Sequence, residues 1–316
     1  MDVSILIPTY KGRDVLARLL QSLRDAEPAD GFTWEIIVID NNSPDDTKSV
    51  IESFRASGRL DIARVFEPKP GKTRALNRGL AEATGTFVAF LDHDAVVARD
   101  YLIELHKAIA TQPYNVLGGR VIPVWPSTPP VWATGERRLQ TSWGGVIAHD
   151  YGDEPRPYTP GMALPVGCNF ICRRNLFDAV GQFNVHLGPR PGAQIAGEET
   201  EILWRMQARG ETILYTPSIQ VFHPVDPERL TKSYLRYRYF CDGRTVARIN
   251  PSDVTMQTLF GVRRFLFRQL LESAAQGLWA ACRGDARMAF DRQLDVWYVL
   301  GSIYESRHIA RKGRTV

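Results

Sequence analysis

Cysteine is scarce in this 316-residue chain: the four residues Cys168, Cys172, Cys241 and Cys282 have neither the spacing of a zinc site nor that of a disulfide framework. Cys168 and Cys172 stand four apart in a strand-like stretch and read as small buried hydrophobes, and a reducing compartment is expected. No apolar run approaches the roughly 18–20 residues of a membrane span. Asp2 and Ser4, followed by Pro8, argue against a secretory signal at the start. The expectation is a cytoplasmic protein, at most peripheral on the inner membrane. No Gly-x-Gly-x-x-Gly follows the first apolar run, where Pro8-Thr9-Tyr10-Lys11-Gly12 stands instead, and no P-loop occurs. Dinucleotide oxidoreductases and P-loop NTPases are thereby set aside. There is no internal repeat and no low-complexity tract.

What is present is ordinary for a globular protein, with 44% hydrophobic and 23% charged residues. The length suffices for one large domain or two modest ones. The net charge of +4 is unevenly divided. From Pro227 to the end, sixteen Lys or Arg stand against eight Asp or Glu, which leaves 23 basic against 27 acidic residues before it. A basic tail on a slightly acidic body points either to solubility or to an anionic partner such as phospholipid headgroups. Nucleic acid is not an expected partner.

Along the chain, Val3–Ile7 is a compact apolar run and a first strand. Val15, Leu16, Leu19, Leu20 and Leu23 form a helical stripe behind it, with Asp14 as its expected N-cap. Glu35–Ile39 is a second strand, ending in Asp40-Asn41-Asn42, and Ala63–Phe66 a short third. Helices are expected after Pro44-Asp45 and over Thr73–Ala83. Phe87–Asp94 reads FVAFLDHD: an apolar run suited to a buried parallel strand, ending in Asp92, His93 and Asp94. The βαβαβαβ alternation predicts a mostly parallel, doubly wound sheet. Carboxylates at the carboxyl end of such a strand stand where open α/β sheets bind ligands, and their hard oxygens suit a divalent cation that holds a diphosphate.

Trp125–Pro165, rich in Pro, Gly and Trp, reads as a long loop and a candidate acceptor-facing lid. Val166–Cys172 resumes strand character. Helices are expected over Asn175–Val180 and Gly197–Arg209, the latter led by Glu198-Glu199. Thr212–Tyr215 and Ile219–Phe222 are two short apolar runs before His223-Pro224. In the tail, Leu259, Val262, Leu266 and Leu270 form one helical stripe and Phe260, Phe267, Leu271 and Leu278 another, with Arg263, Arg264 and Arg268 interleaved. Such helices dock on a membrane surface or on a second subunit.

The stretches ILIPTYKGRDVLARLLQSL, EIIVIDNNSPDDT, EPKPGKTRALNRGL, GTFVAFLDHDA, VGCNFICRRNLFDAVGQFN and GEETEILWRMQARG occur in the order typical of family 2 inverting glycosyltransferases. The resemblance covers about Val3–Val225. It implies the GT-A fold, a Rossmann-like α/β sheet over residues 1–226, followed here by a basic helical region over 227–316. It implies an enzyme that moves a sugar from a nucleotide-diphosphate sugar, UDP-linked by preference, to a hydroxyl of a glycan or lipid-linked glycan, with Mg2+ or Mn2+. Nucleotidyl transfer and non-catalytic binding of a sugar nucleotide are the alternatives. By resemblance, Pro8, Thr9 and Asp40 hold the nucleoside, and Lys72 and Arg74 lie near the diphosphate. Asp94 and Asp92 match the family's Asp-x-Asp as metal and ribose contacts, with His93 as a spacer. His223 matches the late histidine of the metal or diphosphate shell. The catalytic base departs from the pattern, which has Glu-Asp where this chain has Glu198-Glu199. By position Glu199 replaces the Asp, and Glu198 is the other candidate. Trp204 and Arg205 follow on the same helix and are expected to face the acceptor.

Overall fold

The structure, a computed structural model, describes residues 1–129, 141–143, 146–191, 194–249 and 258–312. The chain divides into two compact units. Among the described residues, one is built from 1–129, those from 141 to 186 and 198–225, the other from those between 187 and 197 and those after 225.

The first unit opens with the expected alternation: β1 (Val3–Thr9), α1 (Arg13–Asp25), β2 (Trp34–Asp40), α2 (Thr47–Ala56), β3 (Ile62–Phe66), α3 (Lys72–Glu82) and β4 (Phe87–Phe90). All seven residues of β1 are buried, as a strand covered on both faces requires. β1 lies between β2 and β4 and is parallel to both, with Ile5 opposite Ile36 on one side and Ala89 on the other. There follow β5 (Val96–Val97), α4 (Tyr101–Thr111), β6 (Val116–Val124), β7 (Thr141–Trp143), β8 (Val146–His149), β9 (Arg156–Pro157), β10 (Phe170–Arg173), α5 (Leu176–Val180), α6 (Glu198–Ala208) and β11 (Ile213–Pro224). The sheet runs β3-β2-β1-β4-β10-β6-β11-β5. β10 is antiparallel to β4 and to β6, and β5 is antiparallel to β11, while β11 and β6 are parallel.

Alternation along the strands feeds two cores. Val3, Ile5 and Ile7 of β1 meet Leu16, Leu19, Leu20 and Leu23 of α1 and Leu102 and Leu105 of α4 on one face. Leu6, Ile37 and Ile39 point to the other, against Ala75 and Leu76 of α3 and Ile202, Leu203 and Met206 of α6. Each such leucine contributes about 2 kcal/mol by leaving water. Phe90 and Phe170 stack at 4.3 Å and seat the antiparallel strand against the parallel ones.

Several local expectations need correction. α1 starts at Arg13 with Gly12 at the cap position, so Asp14 lies in the first turn, where its charge complements the helix dipole. Of the loop expected over Trp125–Pro165, residues 130–140, 144 and 145 lie outside the described residues, and residues 146–165 are not a continuous loop. They hold β8 and β9 and are tied to the sheet: Arg120 reaches Asp153 at 2.7 Å, Asp150 at 3.1 Å and the Tyr215 hydroxyl at 3.2 Å, and the Ala163 N–H donates to the Tyr151 hydroxyl at 2.8 Å. His149 is fully buried beside the Tyr158 hydroxyl, and burial lowers its pKa to about 4, so it stays neutral. The strand expected from Val166 begins only at Phe170, after a turn closed by Asn169 N–H to Val166 C=O. The two runs before His223 are one strand, β11, with a register shift between Thr216 and Gln220.

The second unit contains α7 (Lys232–Ile249), the hairpin β12 (Thr258–Leu259) and β13 (Val262–Arg263), α8 (Arg264–Cys282) and α9 (Ala286–Lys312). Leu259 and Val262, expected on a helical stripe, instead face each other across the hairpin. Its two-residue turn has φ of 53° at Phe260 and 75° at Gly261, the left-handed pair that matches strand twist. α7 and α9 approach closely. A Cβ on Gly243 would lie 1.8 Å from the Tyr298 carbonyl oxygen, and one on Gly301 1.9 Å from that of Phe240. Buried Glu305 on α9 takes Arg244 and Arg248 of α7, each at 2.7 Å. Because the obstacle is backbone, Gly243→Ala must part the two helices, and a loss of about 2–3 kcal/mol is expected in urea unfolding. Among the described residues no helix is long and apolar enough to cross a membrane.

Candidate active site

The carboxyl ends of β1, β2 and β4 put Thr9, Asp40 and the Asp92–Asp94 turn on one edge of the sheet. Pro8 is buried within β1 opposite Ile39. The Thr9 hydroxyl and His93 Nδ1 are 2.8 Å apart, so His93 leans on β1. Asp40 is buried. One oxygen pairs with Arg64 of β3 at 3.0 Å and the other accepts from Ser43 N–H at 3.0 Å, which fixes the carboxylate at the strand end. Asn41, the next residue, is a clamp that sequence reasoning missed. Its side-chain amide donates to the Glu67 and Lys69 carbonyls at 3.0 and 2.8 Å, and its oxygen accepts from Gly71 N–H at 2.8 Å. An Asn directly after a strand is a signal for such a loop clamp. The clamp ends at the residue before Lys72, the first residue of α3.

Lys72 is the hub. Its ammonium lies 2.8 Å from Asp92, 2.8 Å from Glu199 and 3.4 Å from Glu198. Burial alone would lower the lysine pKa; Asp92, then Glu199 and Glu198, outweigh it and hold the ammonium well above its ordinary value. Expected near an anionic ligand, Lys72 is here the counter-ion of three carboxylates. Arg74, half-buried on the same turn, stands outside this cluster.

The two glutamates at the start of α6 are inequivalent. Burial, then the neighbouring Glu199 charge, pushes the Glu198 carboxyl up to about 8, with Lys72 only partly opposing. Burial would raise Glu199 as well, but Lys72 and a hydrogen bond from Glu198 bring it below the ordinary glutamate range. At neutral pH Glu198 therefore keeps its proton beside an ionised Glu199. The folded state thus binds one more proton at Glu198 than the unfolded chain between about pH 4.5 and 8, and stability falls as pH rises through that window. Glu198→Gln is expected to flatten this slope, at most about 1.4 kcal/mol per pH unit, in urea unfolding followed from pH 5 to 8.

Asp92, Asp94 and His223 form a second group that shares Asp92 with the first. One ligand atom from each lies within 4.8 Å of the others. His223 ends β11 and is buried; its Nδ1 is 3.1 Å from the Pro224 carbonyl. A proton on Nδ1 satisfies that oxygen and leaves the Nε2 lone pair on the side of Asp94, 3.4 Å from its carboxylate. Two hard oxygens and one imidazole nitrogen facing each other fit Mg2+ or Mn2+, since a cation among them relieves the opposition of their lone pairs. Behind the site, Cys168 is fully buried, and burial and then Asp92 keep it a thiol. Asn169, unforeseen in the sequence, donates to the Arg120 and Ile219 carbonyls at 2.9 and 3.0 Å where β11 shifts register, and so pins the turn ahead of β10. Arg205 caps the turn at 180–182 through the Val180 and Gln182 carbonyls and pairs with Glu201, a structural arrangement in place of the expected acceptor-facing one; Trp204 is exposed.

Comparison with known proteins agrees with this architecture. Over 263 residues the chain is 30% identical to the succinoglycan biosynthesis protein ExoM of Rhizobium meliloti, covering 79% of this chain and 75% of that one. The fold is similar to that of the mannosyltransferase PcManGT from Pyrobaculum calidifontis, solved with GDP-Man and Mn2+: TM-score 0.63, 17% identity, 96% of this chain and 86% of that one. It is also similar to Staphylococcus aureus TarS 1-349 in complex with UDP: TM-score 0.55, 18% identity, 100% and 92%. These likenesses establish the GT-A fold. The family model of Glycosyl transferase family 2 matches residues 4–181, and the chain belongs to that family of glycosyltransferases.

Proposed function

We propose that this glycosyltransferase moves a sugar from a nucleotide-diphosphate sugar, UDP-linked by preference, to a hydroxyl of a glycan or lipid-linked glycan, with inversion at the anomeric carbon. The observation that carries the proposal is the pair of joined clusters at the sheet edge: Asp92, Asp94 and His223 within 4.8 Å, and Lys72 bridging Asp92 to Glu199 at 2.8 Å on each side. PcManGT with GDP-Man and Mn2+ and TarS with UDP, both of this fold, support a nucleotide donor and a divalent ion.

Pro8, Thr9 and Asp40 hold the nucleoside, and Arg74 faces the diphosphate. Asp94 and His223 would hold Mg2+ or Mn2+, with Asp92 as a further contact to the ion or to the ribose. When bound there, the ion would supply charge neutralisation for the departing diphosphate. Glu199, ionised and fixed by Lys72, takes the proton of the acceptor hydroxyl. The acceptor oxygen bonds to the anomeric carbon as the bond from that carbon to the diphosphate breaks, and the electron pair leaves with the diphosphate. Glu198 keeps its proton and does not compete as base. A single displacement of this kind inverts the anomeric centre and forms no covalent sugar–enzyme intermediate.

Nucleotide release from a panel of nucleotide-diphosphate sugars, with and without Mn2+, tests the reading. Metal-dependent release of the nucleoside diphosphate is expected. Pyrophosphate release would indicate nucleotidyl transfer, and binding without release a non-catalytic module.

The second unit supports a peripheral membrane contact. α8 and its hairpin expose Phe260, Phe265, Leu271, Leu278 and Trp279, with Arg264, Arg268 and Arg283 among them, the composition of an interfacial helix. Each basic residue near an anionic surface adds about 1 kcal/mol. Co-sedimentation with phosphatidylserine vesicles is expected at low salt, weakening with salt and with Phe265→Ser and Trp279→Ser. A chain that ignores the vesicles and elutes as a homo-oligomer would make this face a subunit contact instead.

A further inference from the structure

The end of the Glu199 side chain is accommodated at one glycine of the fold, Gly167. Gly167 lies in the turn between Val166 and Asn169. A Cβ on Gly167 would fall 1.9 Å from Glu199 Oε1, 2.6 Å from its Cδ and 2.9 Å from its Cγ. The whole end of the Glu199 side chain therefore occupies the volume that any other residue at 167 would fill. The same Oε1 is the atom that Lys72 holds at 2.8 Å. The turn is itself fixed, because Asn169 is bound to β6 and β11. The carboxylate is thus set between a cation on α3 and bare backbone at 167, with little freedom to retreat.

We infer that Gly167 is a positioning residue for Glu199, and that the two form a matched pair in which the missing side chain at 167 accommodates the acid at 199. The inference rests on the proposed role of Glu199 as base. Gly167 lies outside the left-handed region that excludes side chains, so alanine is compatible with its backbone and acts only through the space it takes. Gly167→Ala drives the Glu199 carboxylate off Lys72. Shortening the acid in that background withdraws the carboxylate and relieves the two shortest contacts, at Oε1 and Cδ, leaving the 2.9 Å contact at Cγ.

A double-mutant cycle tests this, read in urea unfolding and in turnover of the nucleotide sugar that the wild type hydrolyses. Gly167→Ala alone lowers kcat by about 10–100-fold, the scale of a displacement near 1 Å at a reacting group, with donor KM unchanged. Glu199→Asp lowers kcat in the wild-type background and raises it in the Gly167→Ala background. The urea midpoint lost in Gly167→Ala returns in the double variant. If Gly167→Ala does not fold, the double variant must. Equal harm from Glu199→Asp in both backgrounds, a fully active Gly167→Ala, or a double variant that also fails to fold overturns the pairing. An active Glu199→Gln would instead overturn the assignment of the base, while the recovery in unfolding could still be seen.

Discussion

Glu199→Gln lowers turnover by about 10²–10⁴-fold and leaves UDP affinity in the presence of Mn2+ unchanged. The amide keeps the length and shape of the acid and still offers an oxygen to Lys72. It lacks the charge and basicity to take a proton from the acceptor. In the proposed function donor binding rests on groups at the ends of β1, β2, β4 and β11, none of which is altered. The substitution also removes the charge that, after burial, does most to raise Glu198, so the Glu198 carboxyl ionises more readily in this variant. Rate measurement beside calorimetric UDP titration checks both halves. A crippled Glu198→Gln together with an active Glu199→Gln would move the base one residue earlier.

Asp94→Asn is expected to abolish most of the Mn2+-dependent part of UDP affinity, a loss of about 100-fold, of the size that removal of a close charge partner produces. Asp94 stands 3.4 Å from His223 Nε2, and an amide there removes one of the two carboxylate charges of the cluster. Asp92 cannot compensate fully, because one of its oxygens is held by Lys72. Calorimetry with and without Mn2+ separates this loss from general damage: the metal-independent affinity stays, and the metal-dependent increment goes. A variant that keeps the increment shows that the ion sits elsewhere.

The first half of the fold was legible because β1, β2 and β4 are continuous apolar runs closed by polar residues, and the stripes of α1 and α3 lie between them. The acidic residues of the site were legible for a related reason: strand ends and helix starts place them, and both are marked in the sequence. What joins those residues was not. Lys72 meets Glu199 across 127 positions, and no local pattern reports such a contact. β6 escaped notice because Gly118, Gly119, Arg120 and Pro123 interrupt its apolar character, while its hydrogen bonds come from β10 and β11. The tail misled for a local reason. Leu259 and Val262 have helical spacing, yet Phe260-Gly261 adopts the turn usually made by Asn-Gly, and only the backbone angles reveal it. Glu199 was favoured over Glu198 by position alone, and burial and Lys72 supply the physical difference between them.

Anomalous diffraction at the manganese edge, from crystals grown with UDP and Mn2+, tests the central claim most directly. The account predicts one strong peak bounded by Asp94 and His223, with the diphosphate of UDP against it and Glu199 still paired with Lys72. Well-ordered UDP with no peak among Asp92, Asp94 and His223, or with the ion bound at other residues, would contradict it.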